Sequence, residues 1–293
     1  MKIQQHCYTR AARGLFRQSE GYDTVARSEG LSEAFIKERL YPFCFYHPSR
    51  IMQAKRVPAE EFPRAHTVIQ FPNNLMLISQ TIYVESDFTG QRHTFFTHNF
   101  VLLRPENFSP ALLNRLHFAT SSDWDQLPEL DELPLIEEDI DEILAGPLPF
   151  DGYRLRQLAY VLLEAVVGVK KVYVVLPGLD WTIPMLMWIY NRLPAAALQH
   201  LGFTTYSREP LNMKFLHLVF VENGALEQKD IEYGYVFDFD TGYFSENLPD
   251  IAEEVLEERI DNFSIPEEEE EEEEIVKAPK QNVLKRISKA FKR

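Results

Sequence analysis

Two short segments, about ninety residues apart along the chain, carry side chains that can do chemistry. The first holds His6 and Cys7 within residues 4–9, and the second holds His98. A cysteine attacks as its thiolate, and a histidine on a neighbouring strand can accept the thiol proton. One hypothesis is therefore a hydrolase-like enzyme in which His6 or His98 acts together with Cys7 or with Ser28.

The same residues also suit a purely structural role. His98 lies on the same predicted strand face as Phe96 and Phe100, which is typical of a histidine held in the core by hydrogen bonds. Cys7 fits a small buried side chain equally well. His6 and Cys7 are neighbours on a predicted strand and point to opposite faces, so His6 does not easily activate Cys7. The residues alone leave both interpretations open.

Metal, cofactor and nucleotide sites are not indicated. His93 and His98 are five positions apart, and there is no helical His-x-x-x-His pair or close pair of cysteines. No phosphate-binding Gly-x-x-x-x-Gly-Lys-Ser/Thr loop or Gly-x-Gly-x-x-Gly turn occurs. Gly178 stands between a predicted strand and a predicted helix, but Asp180 would repel a phosphate there. We expect no metal, no cofactor and no NTPase activity.

Composition indicates a globular protein. The chain has 293 residues, of which 45% are hydrophobic, and a net charge of −15. Phosphate repels such an acidic body, so nucleic acid is not an expected partner. No apolar run approaches the roughly 20 residues that span a bilayer, and the start lacks the pattern of a signal peptide. With two cysteines, Cys7 and Cys44, the simplest expectation is a reduced, cytoplasmic setting.

The first third of the chain predicts an α+β module that positions these residues. Residues 3–12 read as a strand, and Ser32 is a plausible cap for a helix that Pro42 ends. Three strands are predicted between residues 66 and 103. A turn ending in glycine joins two of them, 80–84 and 94–103, into a hairpin.

A second mixed module follows an acidic, proline-interrupted connection that carries one short acidic helix near 136–145. Asp180 is expected to cap a buried helix in this module, and the apolar run 171–176 predicts a central strand. Its other expected elements are a helix at 155–166 and strands at 203–206, 216–221 and 233–240. The predicted domains are an N-terminal domain at 1–120, a linker at 121–150, a middle domain at 151–248 and a tail at 249–293.

The end of the chain separates its charges. Eight consecutive glutamates at 267–274 predict a disordered acidic run, and a short basic amphipathic helix is expected near the C-terminus. The candidate interaction residues of this tail are Lys285, Arg286, Ile287, Lys289, Phe291 and Lys292. Such a segment suits an anionic membrane surface, a partner groove or the acidic run itself, and a solvated tail that binds nothing is the plain alternative.

Several motifs together resemble a known family. They are the residues 5–9, the residues 21–31 and the residues 90–98, followed by Trp188 and by Phe203-Thr204-Thr205-Tyr206. The first three resemble the type-two N-terminal domain of the bacterial GTPase-associated protein one family. The later stretch is similar to that family's middle domain, and the resemblance covers roughly residues 1–245.

The resemblance implies an accessory or adaptor component of a bacterial GTPase-associated conflict or signalling system, with proteins of that system as partners. The residues expected to form its binding surface are Gln5, His6, Tyr8, Thr9, Arg92 and His98. A non-enzymatic role is favoured, and the hydrolase and a peripheral membrane adaptor at the inner face of the membrane are the alternatives. The adaptor and hydrolase hypotheses both require the strands near residues 4–9 and 94–103 to be neighbours.

Overall fold

A computed structural model describes residues 2–120, 127–136, 147–226, 232 and 234–265. Alternating and continuous apolar runs form strands in both halves of this part of the chain. The N-terminal half contributes β1 (Gln4–Ala11), β2 (Gly21–Arg27), β3 (Ala65–Phe71), β4 (Leu75–Val84) and β5 (Thr94–Leu103). The C-terminal half contributes β6 (Lys171–Val175), β7 (Phe203–Ser207), β8 (Leu218–Val221), β9 (Gly234–Asp238) and β10 (Tyr243–Phe244).

All of these strands belong to one sheet of ten strands in the order β10-β9-β6-β8-β7-β3-β4-β5-β1-β2. The N-terminal strands pair antiparallel, whereas β9, β6, β8 and β7 run parallel to one another. The two halves meet where Thr67 of β3 pairs with Thr204 of β7. The predicted mixed α/β character and the hairpin of β4 and β5 are confirmed. The two expected modules, however, share a single sheet through this long-range pairing.

Two helix caps were predicted from the sequence, and the structure confirms one of them. Ser32 Oγ accepts a hydrogen bond from the Phe35 amide at 3.2 Å and begins the helix, as predicted. Asp180, in contrast, does not cap a helix, because it lies inside a short 3-10 turn and Trp181 occupies the N-cap position without a side-chain bond. The helices are α1 (Glu33–Phe35), which continues as a π-turn (Ile36–Leu40) and a 3-10 turn (Tyr41–Phe43), α2 (Arg50–Ala54), α3 (Gly152–Val167), α4 (Thr182–Arg192), α5 (Ala195–Leu198) and α6 (Glu253–Asp261). Further 3-10 turns are Ala59–Glu61, Pro110–Asn114 and Leu179–Trp181.

The core lies on both faces of the sheet. One face, which we call the helix face, carries Phe100 and Val172 and packs against α3, α4 and residues 112–118 and 130–133. The other, which we call the cover face, carries Leu77 and Val219 and packs mainly against residues 31–43. Because successive strand residues point to opposite faces, each strand divides its side chains between two environments.

The last part of the described chain is folded onto the second half. The helix α6 contacts α3, and its Leu256 is fully buried. Most of the predicted acidic helix near 136–145, and the acidic run and basic segment of the tail, lie outside the described residues. No helix in the described ranges combines the length and the apolar character that crossing a membrane requires.

Candidate functional site

The two segments that carry the chemistry-bearing residues are neighbours in the sheet. The strand β1 pairs antiparallel with β5, so that Cys7 is directly opposite His98 and His6 is directly opposite Asn99. Directly paired residues point to the same face of a sheet. Cys7 and His98 therefore share the helix face, whereas His6 and Asn99 share the cover face. The pairing confirms the neighbourhood on which both sequence-based hypotheses depend.

His98 uses both of its ring nitrogens in the interior. Its Nδ1 accepts a hydrogen bond from the Ala119 amide at 2.8 Å, so the ring proton lies on Nε2. That Nε2–H donates to Gln5 Oε1 at 3.2 Å. Burial lowers the pKa of His98 to about 4, with a smaller contribution from His117. His98 is therefore neutral at pH 7, and its one lone pair is already occupied.

Gln5 and Ser28 continue this network. The Gln5 amide donates to Ser28 Oγ at 2.9 Å, and Gln5 Nε2 donates to the Pro128 carbonyl at 2.7 Å. Ser28 Oγ donates to the same carbonyl at 3.1 Å. Both side chains are buried. These bonds fasten residue 128 to β1, and they leave the Ser28 hydroxyl without a free proton for a reaction.

Cys7 sits in an apolar environment. It is 0% exposed and packs in a small cluster with Ala26, Phe96 and Leu127. Burial, together with nearby Cys44, raises the pKa of the Cys7 thiol far above its ordinary value. A nucleophilic cysteine requires the opposite shift. The arrangement favours a packed thiol over a reactive thiolate.

On the cover face, His6 is the centre of a second network. Asn99 Nδ2 donates to His6 Nδ1 at 2.9 Å, and His6 Nε2–H donates to Thr24 Oγ1 at 2.8 Å. Asn99 Nδ2 also lies 3.4 Å from Cys44 Sγ. Burial lowers the pKa of His6 to about 3, with smaller contributions from His98 and Arg27. This histidine is also neutral at pH 7.

The His6 network continues to a loop beside the edge strand β2. Thr24 Oγ1 lies 3.1 Å from the Tyr41 hydroxyl, which donates to Asp23 Oδ1 at 2.6 Å. Asp23 Oδ2 accepts hydrogen bonds from the amides of Phe16 and Arg17 at 2.8 and 2.7 Å. The chain of bonds joins the covering residue Tyr41, the strand β2 and the loop before it. Its chemistry is that of a fixed scaffold, because each donor has an acceptor.

The accessible part of this region is aromatic and charged. The half-buried rings of Tyr8, Tyr22, Tyr41 and Phe95 form what we call the aromatic surface. The centroids of Tyr22 and Phe95 are 4.7 Å apart and nearly parallel, and those of Tyr8 and Tyr41 are 4.9 Å apart. Because each of these rings is only half-buried, part of the cluster is accessible to solvent next to the phenol hydroxyls.

Charged residues border the aromatic surface. Arg10 Nε is 2.9 Å from Asp87 Oδ2, and Glu20 Oε1 lies 2.9 Å from Arg10 Nη2 and 3.8 Å from Arg92 Nη1. Arg92 is exposed, whereas Thr9 is buried and its hydroxyl donates to the Phe95 carbonyl at 2.6 Å. Of the six binding residues expected from the sequence, Tyr8 and Arg92 are therefore accessible, and Gln5, His6, Thr9 and His98 are buried.

Neither of the two candidate histidines forms a hydrogen bond with a candidate nucleophile. Cys7 shares a face with His98, but both nitrogens of that histidine are engaged elsewhere. His6 lies on the opposite face of β1 from Cys7, and its ring nitrogens bond to Asn99 and Thr24. The Ser28 hydroxyl bonds to the Gln5 amide and the Pro128 carbonyl. In the part of the chain that the structure describes, no group of three or more His, Cys, Asp or Glu side chains is arranged to hold a metal ion. The six candidate residues of the tail, from Lys285 to Lys292, lie outside the described residues.

Sequence reasoning missed the partners that complete the His6 network. Asn99, Thr24, Tyr41 and Asp23 gave no signal of their own, although Thr24 and Asp23 lie in a segment that carried the family resemblance. The register of β1 against β5 identifies Asn99 as the partner of His6. That register is not readable from the sequence, because no hairpin turn joins the two strands.

Comparison with known families extends across both halves of the sheet. A family model described as GTPase-associated protein 1, N-terminal domain type 2, matches residues 2–138. A second model, described as GTPase-associated protein 1, middle domain, matches residues 141–241. No curated protein sequence matches the chain. The first match contains the two hydrogen-bond networks and the aromatic surface, and the second contains the parallel strands.

Proposed function

Because the chain belongs to the GTPase-associated protein 1 family, we propose that it is an accessory, protein-binding component of a bacterial GTPase-associated conflict or signalling system. In this role it binds a GTPase or another protein of the system and does not itself hydrolyse the nucleotide. The family name carries the association with a GTPase. The proposal that the chain acts as an adaptor rests on which side chains around β1 and β5 are buried and which are accessible.

The buried polar groups support the adaptor over the hydrolase. His6 and His98 are held neutral, and each uses both ring nitrogens in internal hydrogen bonds. A general base needs a lone pair within hydrogen-bond reach of the proton that it removes. For either histidine to act, an internal bond has to break and the residue has to become accessible. The interior network instead gives β1, β2 and β5 a rigid frame.

The observation that carries the adaptor proposal is the aromatic surface formed by Tyr8, Tyr22, Tyr41 and Phe95. Tyrosine and arginine are enriched in protein interfaces and among the residues that contribute most to binding energy. Here the stacked rings of Tyr22 and Phe95 lie next to Arg10 and the exposed Arg92, on a frame that hydrogen bonds keep in place. A preorganised surface loses little conformational entropy when it binds.

The test is direct binding between the full chain and the GTPases of its host system. Each purified GTPase is titrated into the full chain by isothermal calorimetry, with GDP and with a non-hydrolysable GTP analogue. We expect saturable binding to one of them. Tyr22→Ala or Arg92→Glu should weaken this binding about tenfold or more, as truncation of a central interface residue does.

A matched control is available at the opposite edge of the sheet. Tyr243 on β10 is an exposed tyrosine far from this surface, and Tyr243→Ala should leave the affinity unchanged. Circular dichroism and thermal unfolding confirm that each variant is folded. The proposal is wrong if none of the GTPases binds the full chain. The assignment of the surface is wrong if Tyr22→Ala and Arg92→Glu bind as tightly as the wild type.

A further inference from the structure

A cavity of about 200 Å³ lies at the carboxyl ends of the parallel strands, away from the aromatic surface. Val174 of β6 and Phe220 of β8 form part of its apolar wall, and Ser49, at the start of α2, also lines it. A single water needs only roughly 10–15 Å³ of such space. The cavity is therefore large enough for a small organic molecule.

The topology of the parallel strands places this cavity at a point where their connections diverge. The chain leaves β6 and passes through α4, which packs on the helix face. After the neighbouring strand β8 it enters the residues 225–226, which pack on the cover face. Adjacent strands whose connections leave to opposite faces open a crevice between their carboxyl ends, where open α/β sheets bind ligands.

The Glu222 carboxylate lies at one wall of the cavity and is held in place by two hydroxyl groups. Ser49 Oγ donates a hydrogen bond to Glu222 Oε1, and the Tyr206 hydroxyl lies 3.5 Å from Glu222 Oε2. Both hydroxyls line the cavity together with Glu222. Two oxygens offer about four acceptor positions, so the carboxylate keeps capacity for further donors. Among the described residues that line the cavity, Glu222 is the one with an acidic or basic side chain.

A second, independent observation at the cavity is the hydroxyl of Thr182. This residue begins α4, lines the cavity and is only 4% exposed. Its Oγ1 is buried and has no hydrogen-bond partner. Buried polar atoms are nearly always paired, so the unpaired Oγ1 of this lining residue still has the capacity to accept a hydrogen bond. A donor of a ligand in the cavity supplies that partner once the Thr182 side chain turns toward it.

We propose that this cavity binds a small organic cation, a primary ammonium or guanidinium group on a short apolar body. The ammonium has three N–H donors and no acceptor, which matches the Glu222 carboxylate and the Thr182 hydroxyl oxygen. Charge-assisted hydrogen bonds to a carboxylate are the stronger kind, and the apolar wall formed by Val174 and Phe220 contacts the hydrocarbon part. The site is separate from the aromatic surface and does not depend on the proposed association with a GTPase.

The first test uses the wild-type full chain and three probes of one shape. Butylammonium, neutral butanol and anionic butyrate are titrated by isothermal calorimetry to about 10 mM, a range that covers fragment-sized affinities. Agmatine, which carries both cationic groups, is the fourth probe. We expect saturable one-to-one binding of butylammonium and agmatine and none of butanol or butyrate. A crystal structure with agmatine should place a cationic nitrogen within hydrogen-bond distance of Glu222.

The second test uses matched variants. Glu222→Gln should weaken agmatine binding about tenfold or more, because it removes a charge-assisted hydrogen bond. Glu164→Gln is the control, since Glu164 also accepts from a tyrosine hydroxyl, that of Tyr235 at 3.0 Å, but lies outside the cavity lining. Thr182→Val should weaken binding while leaving the stability of the empty protein unchanged or higher, because it removes an unpaired buried hydroxyl.

These two tests can either support or overturn the proposed cation site. Cation-selective binding that is lost in Glu222→Gln and kept in Glu164→Gln supports the proposal. It is overturned if no cationic probe saturates, if butanol binds as well as butylammonium, or if Glu164→Gln and Glu222→Gln behave alike. Should Glu222→Gln fail to fold, the selectivity among the probes and the crystal structure of the wild type still decide the question.

Discussion

Cys7 and His98 lie directly opposite each other on β1 and β5, yet the histidine directs both of its nitrogens to other partners, the Ala119 amide and Gln5 Oε1. The two residues are as close as the members of a catalytic dyad, but both are buried side chains of the core. Burial keeps the thiol protonated and the imidazole neutral, which is the reverse of a thiolate–imidazolium pair.

The cysteines should be unreactive in the folded protein. Cys7 and Cys44 are both buried, and burial raises the pKa of both thiols, that of Cys44 to about 12. Iodoacetamide at mildly alkaline pH, followed by mass spectrometry, should leave both unmodified under native conditions and modify both in urea. Rapid native labelling of Cys7 would instead restore the nucleophile hypothesis.

Loss of the His98 ring should destabilise the fold. The variant His98→Phe strands the Ala119 amide and Gln5 Oε1, and each unpaired buried group costs about 1–3 kcal/mol of unfolding free energy. Urea denaturation measures this loss. The exposed His93 provides the control, because His93→Phe should change the stability by no more than about 0.5 kcal/mol. Equal stability of His98→Phe and the wild type would contradict the structural role of this histidine.

Stability should fall as the pH falls below about 6.5. Burial lowers the pKa of four histidines in the folded state to about 3 for His6 and about 4 for His66, His98 and His217. The unfolded chain, with histidine pKa values near 6.5, binds more protons in this window. Each such histidine therefore favours unfolding by up to about 1.4 kcal/mol per pH unit between these limits. The contribution to stability is fully present above the histidine pKa of the unfolded chain, and it is lost as the pH approaches the histidine pKa of the folded protein.

Urea denaturation at about pH 7 and pH 5 measures that dependence. The variant His98→Gln cannot titrate, so its stability should depend less steeply on pH than that of the wild type. His93→Gln changes an exposed histidine and should keep the wild-type slope. A stability that is constant between these two pH values would show that the buried histidines do not remain neutral in the folded state.

Gly202 should be intolerant of any side chain. A Cβ at this position would lie 1.9 Å from the Phe215 carbonyl oxygen, where the chains entering β7 and β8 approach each other. Gly202→Ala has to displace the backbone and should cost at least about 1–3 kcal/mol by urea denaturation. Gly152 begins α3 with nothing within 4 Å of its would-be Cβ, so Gly152→Ala should be neutral or slightly stabilising. Similar stabilities of the two variants would contradict the close approach.

The basic end of the chain gives a prediction that rests on sequence alone. Lys285, Arg286, Lys289 and Lys292 should draw the full chain to vesicles that contain phosphatidylserine, at about 1 kcal/mol for each basic residue near the surface. Co-sedimentation at low salt measures this binding, and high salt should abolish it. A version that ends at Glu274 is the control and should stay in solution. Equal sedimentation of both versions would exclude the basic segment as the anchor.

Local signals were enough to predict β1, the helix start at Ser32 and the three strands β3 to β5, whereas β2 and α2 were not predicted. The hairpin of β4 and β5 follows from the alternation of apolar and polar residues in each strand and from the turn between them. Ser32 caps α1, and such a cap depends only on the three residues that follow it. The prediction that Asp180 caps a helix also used only neighbouring residues, and it was wrong. A 3-10 turn intervenes before α4, and the pattern of residue types does not distinguish it from the first turn of an α-helix.

The sequence by itself determined the family, the mixed α/β character, and the identity of the two segments that lie side by side. Only the tertiary structure decided what their residues do. Side chains on a strand alternate with a period of two, so a shift of one residue in the register of β1 against β5 would exchange the partners of His6 and His98. The union of both halves through Thr67 and Thr204, and the cavity beside Glu222, likewise depend on contacts between residues more than a hundred positions apart, which no local pattern encodes.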